Sequence, residues 1–185
     1  MPVLNKCQGG YSMTTGEERI KRAKRKALEY DVGYSGCSQS VLGALQEEFG
    51  IGNRESFKAS TVLSGGIVRQ GETCGAIIGA LSALGLVIGR NRIEDTEAYR
   101  AMIDPSTELR ARFMKEIKKQ FELSEDLEDT LCRHIQERVF GRSFNLASEK
   151  DFQAFLDAGG HSEFGCPKVC GIAAEVAAEK ILELI

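Results

Sequence analysis

The residues best suited to chemistry in this 185-residue chain are its six cysteines. Five of them fall inside or beside predicted helices: Cys37, Cys74, Cys132, Cys166 and Cys170. We expect Cys37, Cys74 and Cys166 to lie near helix amino termini, where unpaired N–H groups stabilise a thiolate. Because the thiolate is the form that reacts and binds metals, this pattern predicts redox chemistry or metal binding.

The pair Cys166 and Cys170 is separated by four residues, so both side chains project from one helix face, one turn apart. Two metal ligands or a dithiol pair need this arrangement. The alternative for each cysteine is inert burial, since free cysteine packs as a small apolar residue. Inert burial fits Cys132 better than this pair. Cys7 lies in a predicted tail, where we expect only an exposed thiol.

The charge balance and the amino-terminal sequence limit the binding partners and the cell compartment that we expect. The chain has 24 basic and 27 acidic residues and a net charge of -3, so no overall field attracts it to nucleic acid or to an anionic membrane. The amino-terminal segment has no apolar run typical of a signal peptide, so we expect a cytoplasmic protein. In a reducing compartment, cysteines serve more often as metal ligands or redox groups than as structural disulfides.

Apolar residues recur at helical spacing, and no sustained two-residue alternation indicates strands. We therefore predict an all-α fold: a flexible tail over residues 1–15, then a single domain over residues 16–185, a bundle of about seven helices around a glycine-rich central helix. The central helix is predicted from about Glu72 to Ile88. Its uncharged stretch, residues 73–89, is near the lower length limit of about 17 residues for a membrane span, but its four glycines favour a buried helix.

Two later helices are predicted from apolar side chains spaced four residues apart. The stripe of the first is Leu109, Phe113, Ile117 and Phe121, and the stripe of the second is Leu127, Leu131, Ile135 and Val139. Ser124 is the expected cap of the second helix, which places Cys132 beside a buried stripe. Ser148 is expected to cap a short helix, and the last helix begins around Cys166.

Other chemical groups are few. The two histidines each lie near a cysteine: His134 is a possible nitrogen ligand beside Cys132, although a hydrogen-bonded histidine is the commoner case, and His161 precedes Cys166. The basic run over residues 19–26 is suited to an acidic redox partner or nucleic acid, or is a solvated helix face. The chain has no phosphate-binding glycine motif and no haem-attachment motif.

The order of the cysteines around the central helix resembles the C_GCAxxG_C_C family of redox-active proteins. The resemblance runs from Cys37 to the carboxyl terminus and includes the stretch GETCGAIIGA at residues 71–80, then Cys132, then Cys166 or Cys170. The family motif has cysteine directly before alanine, whereas here Gly75 separates Cys74 from Ala76.

This resemblance implies a helical protein with four clustered cysteines that has redox activity or holds an iron–sulfur centre. Three versions remain open: a [2Fe-2S] or [4Fe-4S] cluster, structural zinc, or a metal-free dithiol that cycles with a disulfide. Zinc is the least natural version, because structural zinc sites draw on closely paired ligands and Cys37, Cys74 and Cys132 are isolated.

We expect the metal ligands to be Cys37, Cys74, Cys132 and Cys170, with Cys166 as a substitute or fifth member of the cofactor site. Cys74 and Cys170 are the expected catalytic thiols if dithiol chemistry applies. The protein would exchange electrons with a partner protein or a small molecule, as an electron-transfer module or an oxidoreductase. A homodimer is also expected. The remaining alternative is a helical interaction protein with incidental buried cysteines.

Overall fold

The computed structural model describes residues 15–185, and this part of the chain contains α-helices and one 3₁₀ turn but no strands. The helices are α1 (Gly16–Tyr34), α2 (Cys37–Phe49), α3 (Arg54–Ala59), α4 (Gly75–Ile88), α5 (Thr96–Ala101), α6 (Ile103–Gln120), α7 (Cys132–Phe140), α8 (Glu149–Asp157) and α9 (Cys166–Leu184), and the 3₁₀ turn is Ser60–Leu63. The predicted all-α single domain is confirmed. Apart from Thr15, the predicted tail with Cys7 lies outside the described residues.

Local sequence signals set several helix boundaries. The Thr15 hydroxyl accepts the N–H of Glu18, whose carboxylate accepts the Thr15 N–H, so the two residues cap α1 reciprocally. Ser35 and Gly36 then adopt φ values of 60° and 93°, which separates α1 from α2 within two residues. The Ser148 side chain caps α8 as predicted.

The carboxyl-terminal helix α9 joins most of the bundle, because it packs against α1, α2, α4 and α6. Its inward face is rich in small residues that are fully buried: Ala173, Ala174, Ala177 and Ala178. The facing side of α1 presents Ala23 and Ala27, which are also fully buried. Small side chains allow two helix backbones to approach closely, so the α1–α9 pair forms a tight support for the residues at its ends.

The predicted central helix is α4, which starts at Gly75 rather than Glu72 and packs against α2 and α9. A Cβ atom at Gly79 would lie 2.5 Å from the Ser38 carbonyl oxygen, so glycine is needed where α2 meets α4. Within residues 15–185, no helix has both the length and the apolar character needed to cross a membrane.

The predicted helix from Ser124 onward is wrong in its first half, because α7 begins only at Cys132. The residues before α7 pair in antiparallel fashion with the segment that leads into α4. The Cys74 N–H donates to the Thr130 carbonyl at 2.8 Å, and the Cys132 N–H donates to the Glu72 carbonyl at 2.6 Å. These bonds occupy the backbone groups that a longer helix would use, and they bring Cys74 next to Cys132.

Five consecutive residues between the 3₁₀ turn and α4 form a left-handed turn. Their φ values are 66° at Gly65, 69° at Gly66, 57° at Ile67, 44° at Val68 and 65° at Arg69. The left-handed conformation costs about 1–2 kcal/mol at each non-glycine residue, and β-branched residues such as Ile67 and Val68 rarely adopt it. The turn is held by the Val68 N–H, which donates to the Val62 carbonyl at 2.8 Å.

Candidate functional site

The side chains of five cysteines line one cavity with a volume of about 440 Å³. They are Cys37, Cys74, Cys132, Cys166 and Cys170. The structure therefore brings together every cysteine that the sequence analysis assigned to the site. The cavity, here called the cysteine cavity, is otherwise walled mainly by apolar residues, and its outer lining includes the exposed side chains of Tyr34, Val62 and Val68.

Four of these sulfur atoms are held in place by the first residues of helices. Cys37, Cys132 and Cys166 are the first residues of α2, α7 and α9, and Cys74 is the residue just before α4. Cys170 lies one turn further along α9. The amino ends of four helices thus converge on the cysteine cavity, and each carries a partial positive charge that favours an anionic ligand or cofactor.

Burial nevertheless keeps the thiols protonated. It raises the pKa of Cys37 to about 11 and that of Cys132 to about 12. Burial also raises the pKa of Cys74, Cys166 and Cys170 well above the ordinary value of 9.0. Cys37, Cys74 and Cys166 lie at helix amino ends as expected. Desolvation outweighs the N–H groups there, so the net direction is towards the protonated thiol rather than the expected thiolate.

Several polar groups face the sulfur atoms. The Gln136 side chain donates to Sγ of Cys132 at 3.4 Å. The N–H groups of Gly65 and Ser38 and the Ser64 hydroxyl lower the pKa of Cys37 by hydrogen bonding, so they partly offset its burial. Such bonds stabilise negative charge on sulfur, whether that charge belongs to a thiolate or to a metal-bound cysteine.

Cys74 also lies near backbone N–H groups, although its side chain makes no capping hydrogen bond to α4. The N–H groups of Ala76 and Ile77 lower the pKa of Cys74, against the larger effect of burial.

Gly75 leaves space for the sulfur of Cys37. A Cβ atom there would lie 2.4 Å from Sγ of Cys37, so the first turn of α4 can reach this sulfur only with glycine at position 75.

The sulfur atoms also influence one another. After burial, the charge of Cys132 is the largest cause that raises the pKa of Cys166, and Cys74 and Cys37 contribute as well. For Cys170 the main causes after burial are Asp31 and Cys37. Asp31, Cys37 and Cys74 thus act on both cysteines of α9, whereas Cys132 is a cause for Cys166 alone.

The donors that line the cavity are five cysteine sulfur atoms, and cysteine thiolate is the ligand type that holds iron–sulfur clusters. The five cysteines are present as free thiols. Within residues 15–185, no group of three or more His, Cys, Asp or Glu side chains is arranged to hold a metal ion.

The two histidines have different settings. His134 Nδ1 pairs with Oδ2 of Asp129 at 2.8 Å, which is the hydrogen-bonded case that the sequence analysis considered commoner. His161 lines the cysteine cavity together with Asp31. Asp31 was missed at the sequence level. Its signal is a spacing of four residues from Ala27, which places a carboxylate on the buried stripe of α1.

The basic run over residues 19–26 is paired with acidic side chains. Its six pairs are Arg19–Glu48, Lys21–Glu17, Arg22–Glu48, Lys24–Glu175, Arg25–Glu29 and Lys26–Glu47. These pairs either stay on α1 or join it to α2 and α9, so the run contributes to helix packing.

The fold and the cysteine cavity together define an all-α protein with a buried site of convergent thiols. The family comparison agrees: residues 35–180 match the model described as "Putative redox-active protein (C_GCAxxG_C_C)", so the chain belongs to this family. No curated protein and no solved structure matches the chain. In the family motif a cysteine directly precedes alanine; in this chain Gly75 occupies that position and Cys74 comes one residue earlier.

Proposed function

We propose that the cysteine cavity holds an iron–sulfur cluster and that the protein transfers electrons. The observation that carries this proposal is the convergence of five cysteine side chains, from four different helix starts, on one cavity of about 440 Å³. Inert cysteines would be scattered through the core, each in its own apolar environment. Bound at this place, a cluster supplies reversible electron uptake and release.

The protonation state of the thiols supports a cluster more than a free dithiol. Thiol–disulfide exchange starts from a thiolate, and buried thiols with a raised pKa are poor nucleophiles near neutral pH. Metal ligation, in contrast, replaces the proton by a cation and deprotonates the thiol outright. The same burial that suppresses exchange therefore does not prevent ligation.

Four ligands are needed, and five cysteines are present. Three of the proposed ligands are Cys37, Cys74 and Cys132, whichever cysteine of α9 is the fourth. We propose Cys166 or Cys170 as the fourth ligand; the coupling of Cys166 to all three isolated cysteines supports Cys166. Gln136 donates to Sγ of Cys132 and would tune the reduction potential, since hydrogen bonds to ligand sulfur stabilise the reduced, more negative state.

Electron exchange requires that a donor or acceptor come close to the cluster. The exposed side chains of Tyr34, Val62 and Val68 belong to the cavity lining, so the wall between solvent and the sulfur atoms is thin there. We propose that a redox partner, either a protein or a small molecule, approaches at this wall.

The test is anaerobic reconstitution of the metal-free protein with ferrous iron and sulfide. We expect stoichiometric iron and sulfide on each chain, visible charge-transfer absorption, and bleaching of that absorption on reduction. Serine at position 37, 74 or 132 should abolish the absorption, with circular dichroism as the check that each variant folds.

The fourth ligand is identified by a matched pair of variants on α9. Cys166→Ser should prevent cluster formation and Cys170→Ser should not, if Cys166 is the ligand; the reverse result assigns Cys170. Protein that binds no iron and loses two free thiols on mild oxidation would overturn the cluster in favour of a thiol–disulfide oxidoreductase. Stoichiometric zinc without iron would overturn it in favour of a structural metal site.

A further inference from the structure

Another cavity lies beside the cysteine cavity, between the end of α1, the outer face of α2 and the start of α3; it is here called the tyrosine pocket, after Tyr30 and Tyr34 in its lining. Its volume is about 530 Å³, within the range of roughly 300–1,000 Å³ that is typical of small-molecule sites. Tyr34, Ser35 and Gln39 line both cavities, so the two cavities share a wall. A molecule in the tyrosine pocket would therefore lie next to the cysteine site.

Aromatic rings form much of the tyrosine pocket. Tyr30, Tyr34 and Phe57 belong to its lining, and the rings of Tyr30 and Tyr34 lie 6.5 Å apart. A Cβ atom at Gly43 would lie 3.0 Å from the Phe57 ring and 4.0 Å from the Tyr30 ring, so glycine lets both rings approach the α2 backbone. Tyr34 is 84% exposed. Its ring face is therefore free to stack on a flat ring of a ligand.

Hydrogen bonds hold the walls of the tyrosine pocket in place. The Gln39 side-chain N–H donates to the Phe57 carbonyl at 3.2 Å, and the Gln46 side-chain N–H donates to the Asn53 carbonyl at 3.2 Å. Both bonds join α2 to α3 or to its cap. The shape of the pocket is thus present without a ligand, as is usual for small-molecule sites.

The charges in the lining favour an anion. The acidic residue there is Glu47, and its carboxylate pairs with Lys26 and accepts the Tyr30 hydroxyl, which hold the pKa of Glu47 below its ordinary value. The basic residue is Arg54, which is exposed and takes part in none of the ion pairs within residues 15–185. A guanidinium group binds carboxylate or phosphate with two parallel hydrogen bonds.

We propose that the tyrosine pocket binds a planar aromatic molecule that carries an anionic group. The ring stacks on Tyr34, and the anionic group pairs with Arg54. In the proposed function this ligand is the small-molecule electron carrier, and each electron that the reduced cluster loses is gained by the carrier, or the reverse. The carrier role rests on the proposed cluster, whereas the binding to the pocket does not.

The test uses flavin mononucleotide as the probe, because it combines a planar redox-active ring with a phosphate group. Its fluorescence is titrated with metal-free protein whose thiols are reduced. We expect saturable quenching by flavin mononucleotide and weaker binding of riboflavin, which has the same ring without the phosphate. Absence of saturation up to about 1 mM protein would overturn the binding site. Equal affinity for the two flavins would overturn the role of the anionic group.

Variants at exposed positions place the probe in the tyrosine pocket. Arg54→Gln should weaken flavin mononucleotide binding by about fivefold, as expected for a solvent-exposed ion pair, and should leave riboflavin binding unchanged. Lys58→Gln is the matched control, since Lys58 is on α3 but outside the lining. Equal weakening by the two variants would overturn the pairing with Arg54.

Tyr34→Ala should weaken the binding of both flavins, because the stacking surface is removed; unchanged affinity in this variant would overturn the stacking. Circular dichroism checks that each variant folds.

The carrier role is tested separately, with reconstituted protein that has been reduced. We expect it to bleach the visible absorption of added flavin mononucleotide as the cluster is oxidised. Flavin that binds the metal-free protein but exchanges no electrons with the reconstituted protein would overturn the carrier role. Binding is measured without iron, so failure of the cluster and failure of the pocket are distinguishable.

Discussion

At the scale of single residues, Gly75 packs closely against the sulfur of Cys37, where an added Cβ atom would lie 2.4 Å away. A Cβ atom at position 75 would also lie 3.0 Å from the Leu63 carbonyl oxygen, so backbone on the opposite wall blocks it as well. The Leu63 carbonyl can yield only if the 3₁₀ turn moves, and the Cys37 sulfur can yield only by leaving its present rotamer. Position 75 is therefore a sensitive probe of cavity geometry.

We expect Gly75→Ala to lower the free energy of unfolding by about 1–3 kcal/mol, because overpacking forces backbone shifts, and to reduce iron binding on reconstitution. Urea unfolding and iron analysis check the two effects. Gly85→Ala is the control on the same helix: a Cβ atom there meets nothing within 4 Å, and alanine should stabilise the helix by about 0.5–1 kcal/mol. Equal effects at the two glycines would contradict the packing argument.

Gln136 is the second residue whose role is directly testable. It is almost fully buried, donates to Sγ of Cys132, and accepts the Phe144 N–H at 2.8 Å. Gln136→Leu should cost about 1–3 kcal/mol of unfolding free energy, since the Phe144 N–H loses its partner. It should also lower the reduction potential of a bound cluster. Gln153→Leu, at an exposed glutamine, should change stability by less than about 0.5 kcal/mol.

At this scale the sequence predicts which residues form the site but not their charge state. The cysteines could be selected from residue type and order alone, because few other residues support redox chemistry. The charge state of their thiols could not, since desolvation depends on which helices cover each sulfur. Asp31 was overlooked for a similar reason: its interest arises only when α1 places it beside His161, a residue far away in the chain.

At the scale of elements, helix existence followed from apolar spacing more reliably than helix boundaries did. α6 lies where the four-residue apolar spacing predicted it, and α8 and α9 begin where Ser148 and Cys166 predicted them. The segment before α7 has the same spacing but is not helical, and its last residues pair with the segment before α4. Pairing between distant segments leaves no signature in a local apolar pattern, so this boundary required the structure.

The left-handed turn allows a prediction about strain. Val68 is β-branched, has φ of 44° and is about half exposed, so little burial compensates its conformation. Asparagine tolerates the left-handed region better, and Val68→Asn should therefore stabilise the protein by about 1 kcal/mol, which corresponds to roughly 2–4 °C in thermal midpoint. Val62→Asn is the matched control, because Val62 is similarly exposed but has no positive φ. A gain at both positions, or at neither, would argue against relief of strain.

At the scale of the whole molecule, the buried thiols link stability to pH. In the folded, metal-free protein the pKa is about 11 for Cys37 and about 12 for Cys132, against an ordinary value of 9.0. Above pH 9 the unfolded chain loses thiol protons that the folded chain retains, so the free energy of unfolding falls as pH rises. Below this pH the thiols are protonated in both states and contribute no slope.

We expect this loss to amount to about 1 kcal/mol for each thiol and each pH unit between pH 9 and the folded pKa. Urea titrations under reducing, metal-free conditions at pH 7.5, 9 and 10.5 measure it. Cys132→Ala should show a shallower decline than the wild type, since one titrating group is gone. A decline of the same steepness in that variant would assign the pH dependence to other groups.

The chain order of the cavity walls has a consequence for biosynthesis. The earliest part of the chain that lines the cavity is the end of α1 and the start of α2. The latest part is the start of α9, and most of the chain lies between these two parts. A nascent polypeptide on the ribosome therefore exposes an incomplete set of thiols for most of its synthesis. Iron delivered at that time would meet an incomplete set of the ligands proposed for the cluster, so we expect the proposed cluster to be loaded late, after α9 has emerged and docked.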